Sequence, residues 1–195
     1  MAHSIPERLA ILIDGPSLER AAKALKLDID YKRLLAMFQQ RGYLVRAHYY
    51  AALSPDRAQS TLRPLLDWLS YNGFSVISRI AKDLTTAGCQ SAIAVDLAVD
   101  AMLISDRIDH FVLFTGSSDF VPLLAALQGK ARRVTIVSTL RAEPLLADDL
   151  RRQADYFLEL DDLRPIIGRE ERREERRPIN GRRPEMPENT ATERP

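Results

Sequence analysis

The chain has 195 residues, 46% of them hydrophobic, with 28 Lys plus Arg against 27 Asp plus Glu. That length supports one domain with a real core and a small appendage, and a net charge of +1 excludes a uniformly basic nucleic-acid coat. The single cysteine, Cys89, excludes a disulfide framework and a Cys-cluster zinc site. No apolar run approaches the roughly 18 residues of a membrane span, and Met1 to Arg8 lacks the apolar stretch of a signal peptide. These features predict a soluble protein of a reducing, cytoplasmic compartment, with no membrane partner.

Short apolar runs alternate with helical patterns. Leu9 to Ile13 (LAILI) is continuous and apolar, as a strand buried on both faces should be. Helical spacing follows over Ser17–Leu27 and Tyr31–Arg41, the second stopped by Gly42. Leu44 to Ala51 is a strand by its aromatic and β-branched content. A helix is expected from Arg57 to Tyr71, ended by Asn72-Gly73, and a strand from Phe74 to Ile80. Ser91–Ser105 reads as a strongly apolar helix and Phe111–Thr115 (FVLFT) as a second buried strand. The remaining expectations are helix 119–130, strand Val134–Val137, helix 144–153 and strand Tyr156–Leu160. Alternating strands and helices predict a three-layer α/β/α sandwich around a mainly parallel sheet.

Composition changes after Gly168. Residues 169–195 hold eight Arg, seven Glu and four Pro. Such a segment buries too little apolar surface to offset about 1–2 kcal/mol of backbone entropy per residue, so a disordered tail is expected, its first residues at most a charged helix. Removing those charges leaves 20 basic and 20 acidic side chains in the folded part. Any nucleic-acid surface there must come from local segregation of charge. The expected organisation is an extension over 1–7, a domain over 8–168 and the tail.

In open parallel sheets, chemistry sits outside the carboxyl ends of the strands. Two strands end in an acid there. The first runs into Asp14-Gly15-Pro16-Ser17, the later one into Thr115-Gly116-Ser117-Ser118-Asp119-Phe120. Between them, Asp96 and Asp100 are four apart on an otherwise apolar helix, so both carboxylates leave one face. Like charges at that spacing repel, and a hard cation, Mg²⁺ or Mn²⁺, is the simplest reason to gather oxygen ligands without His or Cys. Each acid also has an ordinary reading: Asp14 a turn residue, Asp119 a cap, Asp96 and Asp100 ion-pair partners of Arg79, Lys82 or Arg107. Dinucleotide, P-loop and nucleophile-elbow signatures are absent. The three His residues, His3, His48 and His110, have no metal-ligand spacing.

The segments IDGPS, DIDYKRLL, RAHYYAA, VDLAVDAM, TGSSDFVPLL and RVTIVS, in that order, resemble the LabA-like NYN domains of the PIN-like ribonuclease superfamily. The resemblance covers about residues 8 to 163. It implies a metal-dependent ribonuclease in which Asp14, Asp100 and Asp119 are catalytic. The implied metal set is Asp14, Asp96, Asp100 and Asp119, with Mg²⁺ or Mn²⁺ as cofactor and RNA as partner. Three positions depart from the family pattern: Ser17 replaces an Asn, Ser117 an acid, and Ala94 an acid opening the central helix. Asp96 stands where the family often has Glu. Ser17, Ser117 and Ser118 become hydroxyl donors to phosphate or metal-bound water, and Arg79 and Lys82 the nearest cations for RNA. The acids favour a nuclease, a hydrolase acting on RNA. The replaced positions favour the alternative, a non-cleaving RNA-binding or regulatory domain. A homodimer is compatible with an exposed helix but not demanded by the pattern.

Overall fold

The computed structural model describes residues 6–53, 62–80, 86–143 and 145–169. The expected tail beyond Arg169, the start of the helix expected from Arg57, and Lys82 lie outside the described residues. Six parallel strands form one sheet: β1 (Arg8–Asp14), β2 (Tyr43–Leu53), β3 (Ser75–Ile80), β4 (His110–Phe114), β5 (Arg133–Ser138) and β6 (Tyr156–Glu159). Their order is β3-β2-β1-β4-β5-β6. The chain therefore leaves β1 toward β2 on one side and returns on the other side with β4, making the β1/β4 boundary the topological switch point. The expected three-layer α/β/α sandwich is present, and the sheet is parallel throughout.

Strand period two sorts the core into two layers. Ile11 and Ile13 of β1 face α1 (Gly15–Ala24), α2 (Tyr31–Gln39) and α3 (Arg63–Tyr71), against Leu18, Leu34, Phe38 and Leu69. Ala10 and Leu12 face the opposite layer, α4 (Thr86–Ile104), α5 (Val121–Gly129) and α6 (Asp148–Gln153), against Ile93, Leu97, Ala101 and Leu124. A short closing helix, α7 (Arg164–Ile167), returns Ile167 to the first layer. Asp14 shares the parity of Ala10 and Leu12, so the sequence itself points its side chain to the α4 side.

Several element boundaries differ from expectation, three of them in ways the neighbouring bonds and residues account for or that lengthen a helix. The helix expected over 119–130 begins at Val121, preceded by a 3₁₀ turn at Ser118–Phe120. Pro122 fits the first turn of α5, where its missing N–H costs nothing. The helix expected over 144–153 is confined to Asp148–Gln153. Leu146 N donates to Thr139 O and Ala147 N to Gly116 O, so the chain before α6 bonds to the strand ends instead of coiling. The central helix starts earlier than expected, at Thr86.

Gly15 has a local reason. A Cβ there would stand 2.6 Å from Tyr50 O and 2.8 Å from the Tyr49 ring, so only glycine lets α1 start this close to β2.

Candidate functional site

Asp14 closes β1 and caps α1 in an extended conformation, φ −71° and ψ 94°. Its Oδ2 accepts from Ser17 Oγ at 2.5 Å and from Thr115 Oγ1 at 3.0 Å, and its Oδ1 accepts from Ser17 N at 3.4 Å. The residue is only 5% exposed. Burial pushes the carboxyl above the ordinary aspartate range, while the two hydroxyls and the Arg20 charge act in the opposite direction. Taking a carboxylate out of water is costly, and the two hydroxyls and the Ser17 N–H offset part of that cost.

The other acids reach the same side of the sheet with different partners. Asp100 of α4 is half-buried; Tyr50 donates its hydroxyl to Asp100 Oδ2 at 2.9 Å, and His48 Nδ1 lies 3.8 Å from the same oxygen. His48 Nδ1 and Tyr50 Oη are 3.1 Å apart. Burial lowers the His48 pKa, which favours a neutral ring in this cluster. Asp96, one turn earlier, is gripped by Arg79 of β3, Nε to Oδ2 at 2.6 Å and Nη2 to Oδ1 at 2.7 Å. That bidentate pair holds the Asp96 carboxyl below its usual range. Asp119 lies in the 118–120 turn, which packs on α4. Its backbone N–H donates to Ser117 Oγ at 3.3 Å, and among the described residues its exposed carboxylate pairs with none.

The expected site residues therefore separate into two groups. Asp14, Ser17, Ser117, Ser118 and Asp119 lie together at the ends of β1 and β4, joined by the Thr115 and Ser117 hydroxyls. Asp96 and Asp100 are each held by a neighbouring strand, and Arg79 is committed to Asp96. Among the described residues, no three His, Cys, Asp or Glu side chains converge as a metal cage. This set suits a hard cation of the Mg²⁺ kind, which keeps several waters and takes one or two carboxylates plus substrate phosphate. It does not suit zinc.

Residue-type reasoning alone passed over four groups. Thr115 ends a buried run and carries the hydroxyl that binds Asp14. Tyr50 and His48 alternate on β2 and so share the face of Asp14; strand parity was the available signal. Glu19, on α1, is half-buried and accepts from Tyr49 Oη at 2.9 Å; burial raises its pKa, and the charge of Asp14 raises it further.

Comparison with known proteins agrees with this architecture. The NYN domain pattern matches residues 8–161. The chain is 29% identical over 177 residues, 87% of its length and 92% of the relative's, to the low amplitude and bright protein LabA of Synechococcus elongatus. A crystal structure of a protein of unknown function from Vibrio parahaemolyticus superposes with a TM-score of 0.68 at 27% identity, covering 83% of this chain and 98% of that one. No helix among the described residues is long and apolar enough to cross a membrane. With its PIN-like parallel sandwich and its acids at the switch point, the chain belongs to the NYN domain family.

Proposed function

We propose that this NYN domain is a Mg²⁺- or Mn²⁺-dependent ribonuclease working with a reduced acid set, Asp14 and Asp119 at the strand ends with Asp100 behind them. The observation that carries the reading is Asp14 itself, a buried carboxylate fixed by two hydroxyls at the switch point of the sheet. Asp119 supplies an exposed carboxylate from the adjoining turn, free to take a cation together with an RNA phosphate. When bound, such an ion lowers the pKa of water and polarises phosphorus.

The protein's own groups do the rest. Ser17 and Thr115 fix the direction of the Asp14 oxygens, so no side-chain ordering is left for the binding step. Ser117 steadies the turn that presents Asp119, through the hydrogen bond its Oγ accepts. Tyr50 holds Asp100 in one orientation beside a neutral His48. Ser118, exposed next to Asp119, would donate its hydroxyl to a phosphate oxygen.

A second reading, RNA binding or regulation without cleavage, is favoured by one observation: Arg79 neutralises Asp96 with two short hydrogen bonds, removing it from the ligand set. Cleavage of single-stranded RNA with Mg²⁺ or Mn²⁺, by the wild type and by Asp14→Asn, separates the two. Cleavage lost in the folded variant supports the nuclease; RNA binding with no cleavage by either protein supports the second reading.

A further inference from the structure

From Ser91 to Ile104, α4 has three polar residues, Ser91, Asp96 and Asp100, and is otherwise apolar around its whole circumference. Ile93, Leu97 and Ala101 pack one face into the core. The opposite face holds Val95, Val99, Met102 and Leu103, whose spacing places all four on one side of the helix. They are uncovered: Val95 is 62% exposed, Val99 51% and Leu103 75%. A helix apolar on all sides belongs in an interior. Lone exposed apolar side chains need no explanation, whereas a continuous stripe of them marks an interaction surface.

The charges around the stripe indicate its occupant. Arg79 holds Asp96 along one flank, and Lys130 pairs with Asp106 at 2.8 Å beyond the last turn. These pairs cancel, so among the described residues the face presents no cluster of cations to draw RNA or an anionic membrane. An apolar centre with a polar, neutral rim is the anatomy of a protein–protein interface. One nearby charge is unmatched. Arg107, exposed in the turn that continues α4, makes no ion pair with any described residue.

We propose that two copies of this chain associate through the 95–103 face of α4, with the two helices antiparallel. A two-fold axis between Val99 and Met102 sets Val99 of one copy against Met102 of the other, and Leu103 against the opposing valines. The same register brings Arg107 within one helical turn, ~5.4 Å along the axis, of Asp96 on the second copy. Two hydrogen bonds from Arg79 leave that carboxylate with acceptor capacity to spare. The face is therefore complementary to itself in charge as well as in apolar surface. This inference does not rest on the nuclease reading, because association is measured without RNA or metal.

The test is sedimentation equilibrium of the full chain in reducing buffer, which excludes a Cys89 disulfide, from about 1 to 100 μM. The wild type should pass from monomer to dimer within that range. Val99→Glu and Leu103→Glu should each remain monomeric throughout. Both positions are at least half exposed, so the variants should keep the circular dichroism spectrum of the wild type. Arg107→Glu should weaken the dimer about tenfold. A dimer lost in both glutamate variants but untouched by Arg107→Glu would support the face and overturn the antiparallel register. A wild type that stays monomeric, or a dimer that persists in both folded glutamate variants, would overturn the proposal.

Discussion

Thr115 Oγ1 donates to Asp14 Oδ2 at 3.0 Å, joining two strand ends that lie 101 residues apart in the chain. With Ser17 on the same oxygen, it holds a carboxylate inside the protein at the one sheet boundary where both neighbouring connections diverge.

That arrangement predicts a conflict between stability and function at Asp14. Its folded pKa is raised, chiefly by burial, so folding binds the proton more tightly than the unfolded chain does. The stabilising contribution is complete at low pH and is lost as pH rises through the folded pKa, leaving an ionised, desolvated group at neutral pH. Asp14→Asn should therefore melt higher than wild type at pH 7. The gain should shrink toward pH 4, as thermal scans across that range would record. Equal melting curves at both pH values would mean the hydroxyls already offset the burial.

Arg79→Gln should change metal affinity in the direction opposite to a ligand loss. It frees the Asp96 carboxylate one helical turn from Asp100, adding negative charge to this face of α4. Titration with Mn²⁺ should show tighter binding by several-fold. Unchanged affinity would place Asp96 outside the reach of any ion held by Asp14 and Asp119.

Tyr50→Phe removes the hydroxyl that Asp100 accepts and that sits 3.1 Å from His48. The loss should be about 1 kcal/mol, the usual net worth of one part-buried hydrogen bond. Urea unfolding would show it as a lower midpoint at an unchanged slope. A much larger loss would mean that the ring packing, not the hydroxyl, had been disturbed.

Gly15→Ala should destabilise by about 1–3 kcal/mol, because the new methyl meets the Tyr50 carbonyl at 2.6 Å, backbone that cannot swing aside. It should also lower cleavage by shifting the cap at Asp14, in contrast to surface alanines on α1. Wild-type stability in this variant would contradict the close approach of α1 to β2.

Much of this was legible in the residues. LAILI and FVLFT are uninterrupted apolar runs bounded by turn residues, the pattern of a strand covered on both faces. The acids after them follow from the rule that sites lie at carboxyl ends of parallel strands. The Asp96–Asp100 spacing was equally visible, but its meaning was not. Whether two carboxylates on one helix face meet a cation or an arginine depends on the register of β3 against β2, which delivers Arg79 opposite Asp96. The segment before α6 differs from expectation because Leu145, Leu146 and Ala147 have helical composition; the Leu146 and Ala147 N–H groups are taken by the Thr139 and Gly116 carbonyls, a long-range competition that local propensity does not contain.

The central claim is that Asp14 and Asp119 carry metal-dependent cleavage. The most direct measurement is the rate of single-stranded RNA hydrolysis in Mg²⁺ and Mn²⁺, against EDTA, for wild type, Asp14→Asn and Asp119→Asn of verified fold. The account predicts cleavage by wild type only with the ion, and a loss of ~100-fold or more in each variant. Cleavage that survives in Asp14→Asn, or that proceeds unchanged in EDTA, would contradict it.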